Sequence, residues 1–286
     1  MTRQNDFYLD AYDRAWKARL DVMRDLIAGG AETAFEVVRR LKIFEIDHTM
    51  TMDCTFRPIE PPTGDSLLPT GMPMLRPEPV LGRLQMRPFY DDHVDFLLHV
   101  LTQHGVDAIV ELGSGYGRNL IELYARGGPK DAVYYAGEIS EGGRAAADML
   151  FALTPGHQAR SFCFDHKDPD LSCLRGAERV LLFSYHSIEQ VAELPADYFA
   201  RLAACAPQVT AIHMEPFGFQ LDALDGEPSR LQRHLFAERD WNTNLTARLL
   251  EANAAGTIRL TTLAKEILGG EPNNATSLAV WTNIPT

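Results

Sequence analysis

Val110-Glu111-Leu112-Gly113-Ser114-Gly115-Tyr116-Gly117-Arg118-Asn119 is the stretch on which the reading of this chain turns. A short apolar run enters glycines at every second position and then passes into a helical pattern. Glycine lets a backbone turn sharply and lie close to a ligand, and a helix N-terminus offers free amides to it. A nucleotide-like ligand at a strand-to-helix junction is implied; a tight turn and nothing more is the other reading of a glycine triplet. Nicotinamide-binding folds use G-x-G-x-x-G, whereas here the spacing is G-x-G-x-G with an acid, Glu111, two residues before the first glycine.

Outward from that loop, short apolar runs alternate with helical stretches. Strands are expected at Ala108–Leu112, Ala132–Gly137, Ala159–Phe164, Val180–Phe183 and Val209–Met214, and helices at Gly117–Ala125, Glu141–Leu153, Pro195–Ala204 and Leu231–Ala254. Alternation at this spacing implies right-handed β-α-β units, a parallel sheet and helices on both faces. Two last strand-like runs, Thr257–Leu263 and Ser277–Asn283, bring the count to seven. Upstream, Tyr8, Tyr12, Trp16, Leu20, Met23 and Ile27 mark one face of a helix ending near Gly29-Gly30, and a second helix is expected over Ala31–Phe44. Seven prolines between Thr55 and Arg83 argue against regular structure there, and the pattern after Pro88, from Tyr90 to Leu101, describes a further helix closed by His104-Gly105. The expected fold is a Rossmann-like, doubly wound, mostly parallel seven-stranded α/β sheet. Residues 1–84 are expected to form a helical cap with a proline-rich loop, and residues 85–286 the ligand-binding catalytic domain.

The glycine loop and the strand ends after it resemble the class I S-adenosylmethionine-dependent methyltransferases, whose first motif is E/D-x-G-x-G-x-G after the first strand. The resemblance spans roughly residues 85–284; its first motif is specific and the others are positional. It implies S-adenosylmethionine as cofactor, with Glu111 near the methionine end and Gly113, Ser114, Gly115, Gly117 and Asn119 around it. Glu138, with Ile139 beside it, stands where the family's second-strand acid holds the ribose hydroxyls. Phe164 and Asp165 match the position that meets adenine, and Ser184-Tyr185-His186 matches the loop between the methionine moiety and the acceptor. Tyr90, ahead of the first strand, is expected to close over the cofactor.

Several subclass marks are missing after the fourth strand: no D/N-P-P-Y/F, no Pro-Cys pair and no paired glutamates in one loop. Base amines, cytosine C5 and protein arginine lose support as acceptors. Phe183-Ser184-Tyr185-His186-Ser187-Ile188-Glu189 stands there instead, and His213-Met214-Glu215 ends the fifth strand, so His186, Glu189, His213 and Glu215 are expected around one pocket. An imidazole titrates near neutrality, which makes His186 a candidate base; a structural hydrogen bond is its other reading. Glu189 orients that ring or simply begins a helix, and Tyr185 packs on the sulfonium or fills the wall. Catalytic work is thus expected of His186, Glu189, Glu215 and Tyr185, with no metal, because the acid and histidine spacing fits no ligand pattern.

Composition narrows the partner. The 286 residues carry 45% hydrophobic and 23% charged side chains, the balance of a folding domain, and a formal net charge of −12. Such a surface repels phosphate backbones and anionic lipid, so a small molecule, neutral or cationic, is expected rather than nucleic acid or membrane. The cysteines at 54, 163, 173 and 205 form no C-x-x-C pair, and the first residues are acidic where a signal peptide needs an apolar run. A cytoplasmic enzyme is expected, with a homodimer left open. The leading expectation is methyl transfer to O or N of a small metabolite. Two alternatives stand beside it: non-methyl chemistry such as cyclisation of the aminobutyrate chain, and a non-catalytic cofactor-binding subunit.

Overall fold

A computed structural model describes residues 2–59, 75–80, 83–88, 92–103, 105–221, 227–268 and 275–284. Helix α1 (Thr2–Ala28) turns the three- and four-residue apolar spacing into one face, with Leu20 and Met23 buried. It stops where Gly30 takes φ 94°, letting the Ala31 amide reach back to the Leu26 carbonyl. Helix α2 (Ala34–Asp47) starts three residues later than the sequence suggests, because Thr33 caps it with a side-chain oxygen on the Glu36 amide.

Where the proline-rich stretch is described, the expectation of no regular structure is overturned; residues 60–74 and 81–82 lie outside the described residues. Strands β1 (His48–Met50) and β2 (Phe56–Pro58) pair antiparallel, as do β3 (Leu75–Val80) and β4 (Arg83–Pro88). An isolated two-stranded ribbon leaves its outer edges unpaired, where a proline's missing N–H costs no ladder bond. Helix α3 (Asp92–Gln103) comes next, and then the central sheet begins.

That sheet is built from β5 (Ala108–Leu112), β6 (Val133–Gly137), β7 (Ala159–Phe162), β8 (Arg179–Tyr185), β9 (Gln208–Glu215), β10 (Arg259–Leu268) and β11 (Thr276–Thr282). The strand order is β10-β11-β9-β8-β5-β6-β7. β5 through β9 are parallel, and β11 runs antiparallel between β9 and β10. All five positions of β5 are buried, as a central strand covered on both faces requires. One face, with Ile109, Leu181 and Ile212, shares a core with apolar side chains of α1, α2, α3, α4 (Arg118–Ala125) and α5 (Glu141–Ala152). The other, with Val110, Leu182 and Ala211, packs on α6 (Tyr198–Ala203) and on the chain after β9.

The single helix expected over Leu231–Ala254 is in fact two, α7 (Glu227–Arg239) and α8 (Leu245–Ala254). Asp240 takes φ 53°, and the Asn242 side-chain oxygen accepts from the Leu245 amide at the start of α8. Asp and Asn favour such turns because their short side chains bond the local backbone. Among the described residues no helix is long and apolar enough to cross a membrane.

The functional consequence lies in the strand order. From β5 the chain winds outward to β6 and β7, then returns to lay β8 on the other side of β5. The crevice at the carboxyl ends of β5 and β8 is the topological switch point, where open α/β sheets bind ligands.

Candidate functional site

Gly113, Gly115 and Gly117 leave β5 with φ values of 79°, 55° and 74°, in the left-handed region that glycine enters without steric cost. A Cβ on Gly113 would lie 2.3 Å from Cβ of Ser187, and one on Gly115 would lie 2.7 Å from the Trp16 ring. The loop amides ahead of the helix turn inward. Those of Gly113 and Ser114 donate to the Gly137 carbonyl, and that of Gly115 donates to Oε2 of Glu138 at 2.8 Å. The glycines thus serve close approach, while the amides lock the loop onto β6.

Two cavities open here. The smaller, about 180 Å3, is lined by Gly113, Glu138, Ile139, Asp165, His166, Ser187 and the α1 side chains Leu9, Tyr12 and Trp16, among others. The larger, about 540 Å3, is lined by Glu111, Ser114, Gly115, Asn119, Tyr185, Arg19 and Glu45, among others. Tyr12, Trp16, Gly113, His186 and Gln190 line both, so the two are one groove with a waist.

In the smaller cavity Glu138 takes the Gly115 amide on one oxygen and the Ser140 amide on the other, at 2.8 and 2.9 Å. A carboxylate has about four lone-pair sites, so two remain. In the larger, Oε1 of Glu111 accepts from Asn119 Nδ2 at 2.5 Å, while the buried Oε2 has no hydrogen-bond partner among the described residues. Burial lifts this carboxyl to about 8, against the pull of Asn119 and Arg118. Asn119 also accepts from His93 Nε2 at 2.9 Å, and the His93 ring stacks on Tyr185 with centroids 4.0 Å apart.

Behind the waist the side chains close on one another. The Trp281 indole donates to Nε2 of His213 at 3.0 Å, which leaves the His213 proton on Nδ1, facing Ser184 Oγ at 3.0 Å. Glu215, on the strand beside Ser184, receives the Ser187 amide at 3.0 Å. Burial and the nearby Glu189 raise Glu215 to about 7, and burial drops His213 to about 3. Ser187 gives its one proton to the Leu112 carbonyl at 2.7 Å, so His166 Nε2 donates to Ser187 and His166 Nδ1 accepts from Tyr198. Burial, with His213 nearby, holds His166 neutral, at about 3.

His186 sits at φ 50°, a left-handed conformation that histidine adopts more readily than most residues. Its Nδ1 lies 3.3 Å from Oε2 of Glu189 and its Nε2 lies 2.6 Å from the Thr276 hydroxyl. The Glu189 contact falls outside hydrogen-bond geometry, and the Thr276 hydroxyl can donate to Nε2 or accept from it, so either ring nitrogen can carry the proton.

The positions expected from the sequence therefore divide. Gly113, Glu138, Ile139, Asp165 and His186 line the smaller cavity, and Glu111, Gly113, Ser114, Gly115, Asn119, Tyr185 and His186 the larger. Gly117 sets the start of α4, Phe164 is buried against Gly137, and Ser184, Glu189, His213 and Glu215 are buried behind the wall. Tyr90 lies outside the described residues. Sequence reasoning overlooked His93, His166 and Ser187 and gave Trp16 no place at the glycine loop. His166 and Ser187 carried a signal, their places beside Asp165 and His186.

No family model and no curated protein matches this sequence. Among solved structures the chain is similar to a geranyl diphosphate methyltransferase in complex with GPP and sinefungin, at 15% identity over 67% of this chain and 77% of that one, TM-score 0.47. It is also similar to a magnesium protoporphyrin IX methyltransferase from Synechocystis PCC 6803 with bound SAH, at 14% identity over 68% and 83%, TM-score 0.47. A third is a SAM-dependent methyltransferase from Aquifex aeolicus, at 13% identity over 68% of this chain and 100% of that one, TM-score 0.41. These three are methyltransferases; at such identities the likeness is one of fold, and the fold of this chain rests on its own strand order.

Proposed function

We propose that this chain is an S-adenosylmethionine-dependent methyltransferase that methylates O or N of a small molecule. The observation that carries the reading is the groove itself. Three left-handed glycines, an unpartnered buried carboxylate oxygen on Glu111 and an acid on the neighbouring strand meet at the switch point, and a second chamber adjoins them. A bound S-adenosylmethionine supplies a methyl group already activated on sulfur. In this reading the two remaining lone pairs of Glu138 take the ribose hydroxyls, Asp165 and Ile139 border the adenine, and Glu111 Oε2 faces the methionine end.

The chain's own work is alignment and proton removal. Nε2 of His186 receives the acceptor proton in place of the Thr276 hydroxyl, and Glu189 at Nδ1 stabilises the imidazolium that results. Tyr185, held flat by His93, forms the wall against which the acceptor lies. Residues 1–84 act as the cap and residues 85–286 as the catalytic domain, with Tyr12 and Trp16 of α1 over the groove.

The second chamber favours methyl transfer over cyclisation of the aminobutyrate chain, because an intramolecular reaction needs no room for a second substrate. The test is incubation with methyl-labelled S-adenosylmethionine and pooled small metabolites. Protein-dependent label in one metabolite, with S-adenosylhomocysteine formed alongside, is the expected result. Absence of both while the cofactor binds counts against an enzyme.

A further inference from the structure

Arg19 of α1 and Glu45 of α2 meet on the wall of the larger cavity. Arg19 Nε donates to Glu45 Oε1 at 2.8 Å, and its Nη1 reaches the Ala15 carbonyl at 3.3 Å and the Met50 sulfur at 3.6 Å. The guanidinium also lies 4.9 Å from the centre of the Trp16 ring. One nitrogen, Nη2, and one oxygen, Glu45 Oε2, are left without a hydrogen-bond partner among the described residues. The two side chains are only 22% and 28% exposed.

An ion pair that merely tied two helices together at a surface would be worth little and has no reason to face a cavity. This pair presents a donor of positive charge and an acceptor of negative charge side by side. A lone carboxylate or phosphate arriving there meets the repulsion of Glu45, and a lone amine meets that of Arg19. A group carrying both charges a few atoms apart meets neither, and each of its charges gains a charge-assisted hydrogen bond. We propose that Arg19 and Glu45 form a subsite for the α-carboxylate and α-ammonium of an amino-acid head group. Two molecules bring such a head group to this groove: the cofactor, through its aminobutyrate end, and an amino-acid acceptor. The choice between them rests on the methyltransferase reading.

The test is calorimetry on wild type, Arg19→Gln and Glu45→Gln, with thermal melts confirming that each variant folds. The probes are S-adenosylhomocysteine, which has the head group, methylthioadenosine, which lacks it, and single amino acids offered to protein saturated with S-adenosylhomocysteine. Each variant should weaken a head-group ligand about tenfold or more and leave methylthioadenosine within about twofold. Loss confined to S-adenosylhomocysteine assigns the subsite to the cofactor; loss confined to an amino acid assigns it to the acceptor. Unchanged affinity for every ligand, or methylthioadenosine weakened as much as S-adenosylhomocysteine, overturns the proposal and leaves the pair as a tether. Wild-type protein that binds neither nucleoside sinks the methyltransferase reading instead. The amino acids are then titrated into the bare protein, and no binding, or binding that both variants keep, overturns the subsite on its own.

Discussion

The two halves of the groove meet at Gly113 and His186 but are held in opposite ways. At the ends of β5 and β6 the backbone does the holding: loop amides bond the Gly137 carbonyl and Glu138, and two oxygen lone pairs are left for a ligand. At the ends of β8 and β9 side chains hold side chains, Trp281 with His213 and His213 with Ser184, while Glu215 takes the Ser187 amide beside them. The first half is shaped for one ligand by backbone conformation. The second is a network that presents Tyr185, His186, Ser187, Gln190 and Val191 to the groove.

If that contrast is right, substitutions in the loop should remove binding and those in the network should not. Gly115→Val demands a side chain at φ 55° and drives it into the Trp16 ring. Strain and overpacking together cost several kcal/mol, so calorimetry should find affinity for S-adenosylmethionine reduced at least about a hundredfold. Full affinity in this variant would mean the loop is not the site. Glu138→Gln is gentler: an amide has one carbonyl, so the Gly115 or the Ser140 amide would face an NH2 group. Affinity should drop roughly ten- to a hundredfold, measured the same way.

The same contrast explains what the sequence revealed. Glycine at every second position after β5 is a backbone requirement, and so Gly113, Gly115 and Gly117 were legible, as was the acid one strand away, Glu138, whose carboxylate takes the Gly115 amide. The alternation of strands and helices gave the sheet, including its two C-terminal strands. The network at β8 and β9 was not legible, because its pairs lie far apart in sequence: His213 with Trp281, Ser187 with Leu112, His186 with Thr276. His213 looked like a pocket residue and is a buried link in a hydrogen-bond chain. Trp16 looked like one more apolar position on α1, and only the tertiary fold lays its ring on Gly115.

Smaller effects should sharpen the contrast. Ser184→Ala removes the partner of His213 Nδ1, leaving a buried polar group unpaired, and should lower unfolding free energy by about 1–3 kcal/mol in denaturant titrations. Cofactor affinity should stay within about twofold; a larger loss would show the halves to be one unit. The smallest effect concerns pH. Burial raises Glu111 from 4.5 to about 8, so between those values the unfolded chain is ionised while the native one keeps its proton. Stability from this group is complete below the unfolded value and is lost as pH rises through the native one. Glu111→Gln should therefore shrink the fall in melting temperature of the free protein between about pH 5 and pH 9, with Glu215 still contributing. An unchanged fall would place the Glu111 proton elsewhere.

The most direct test of the account is to incubate purified protein with S-adenosylmethionine and no acceptor, and to follow bound and free nucleosides by mass spectrometry. Intact S-adenosylmethionine retained on the protein is the result the account expects. Protein-dependent methylthioadenosine, or no nucleoside bound at all, would contradict it.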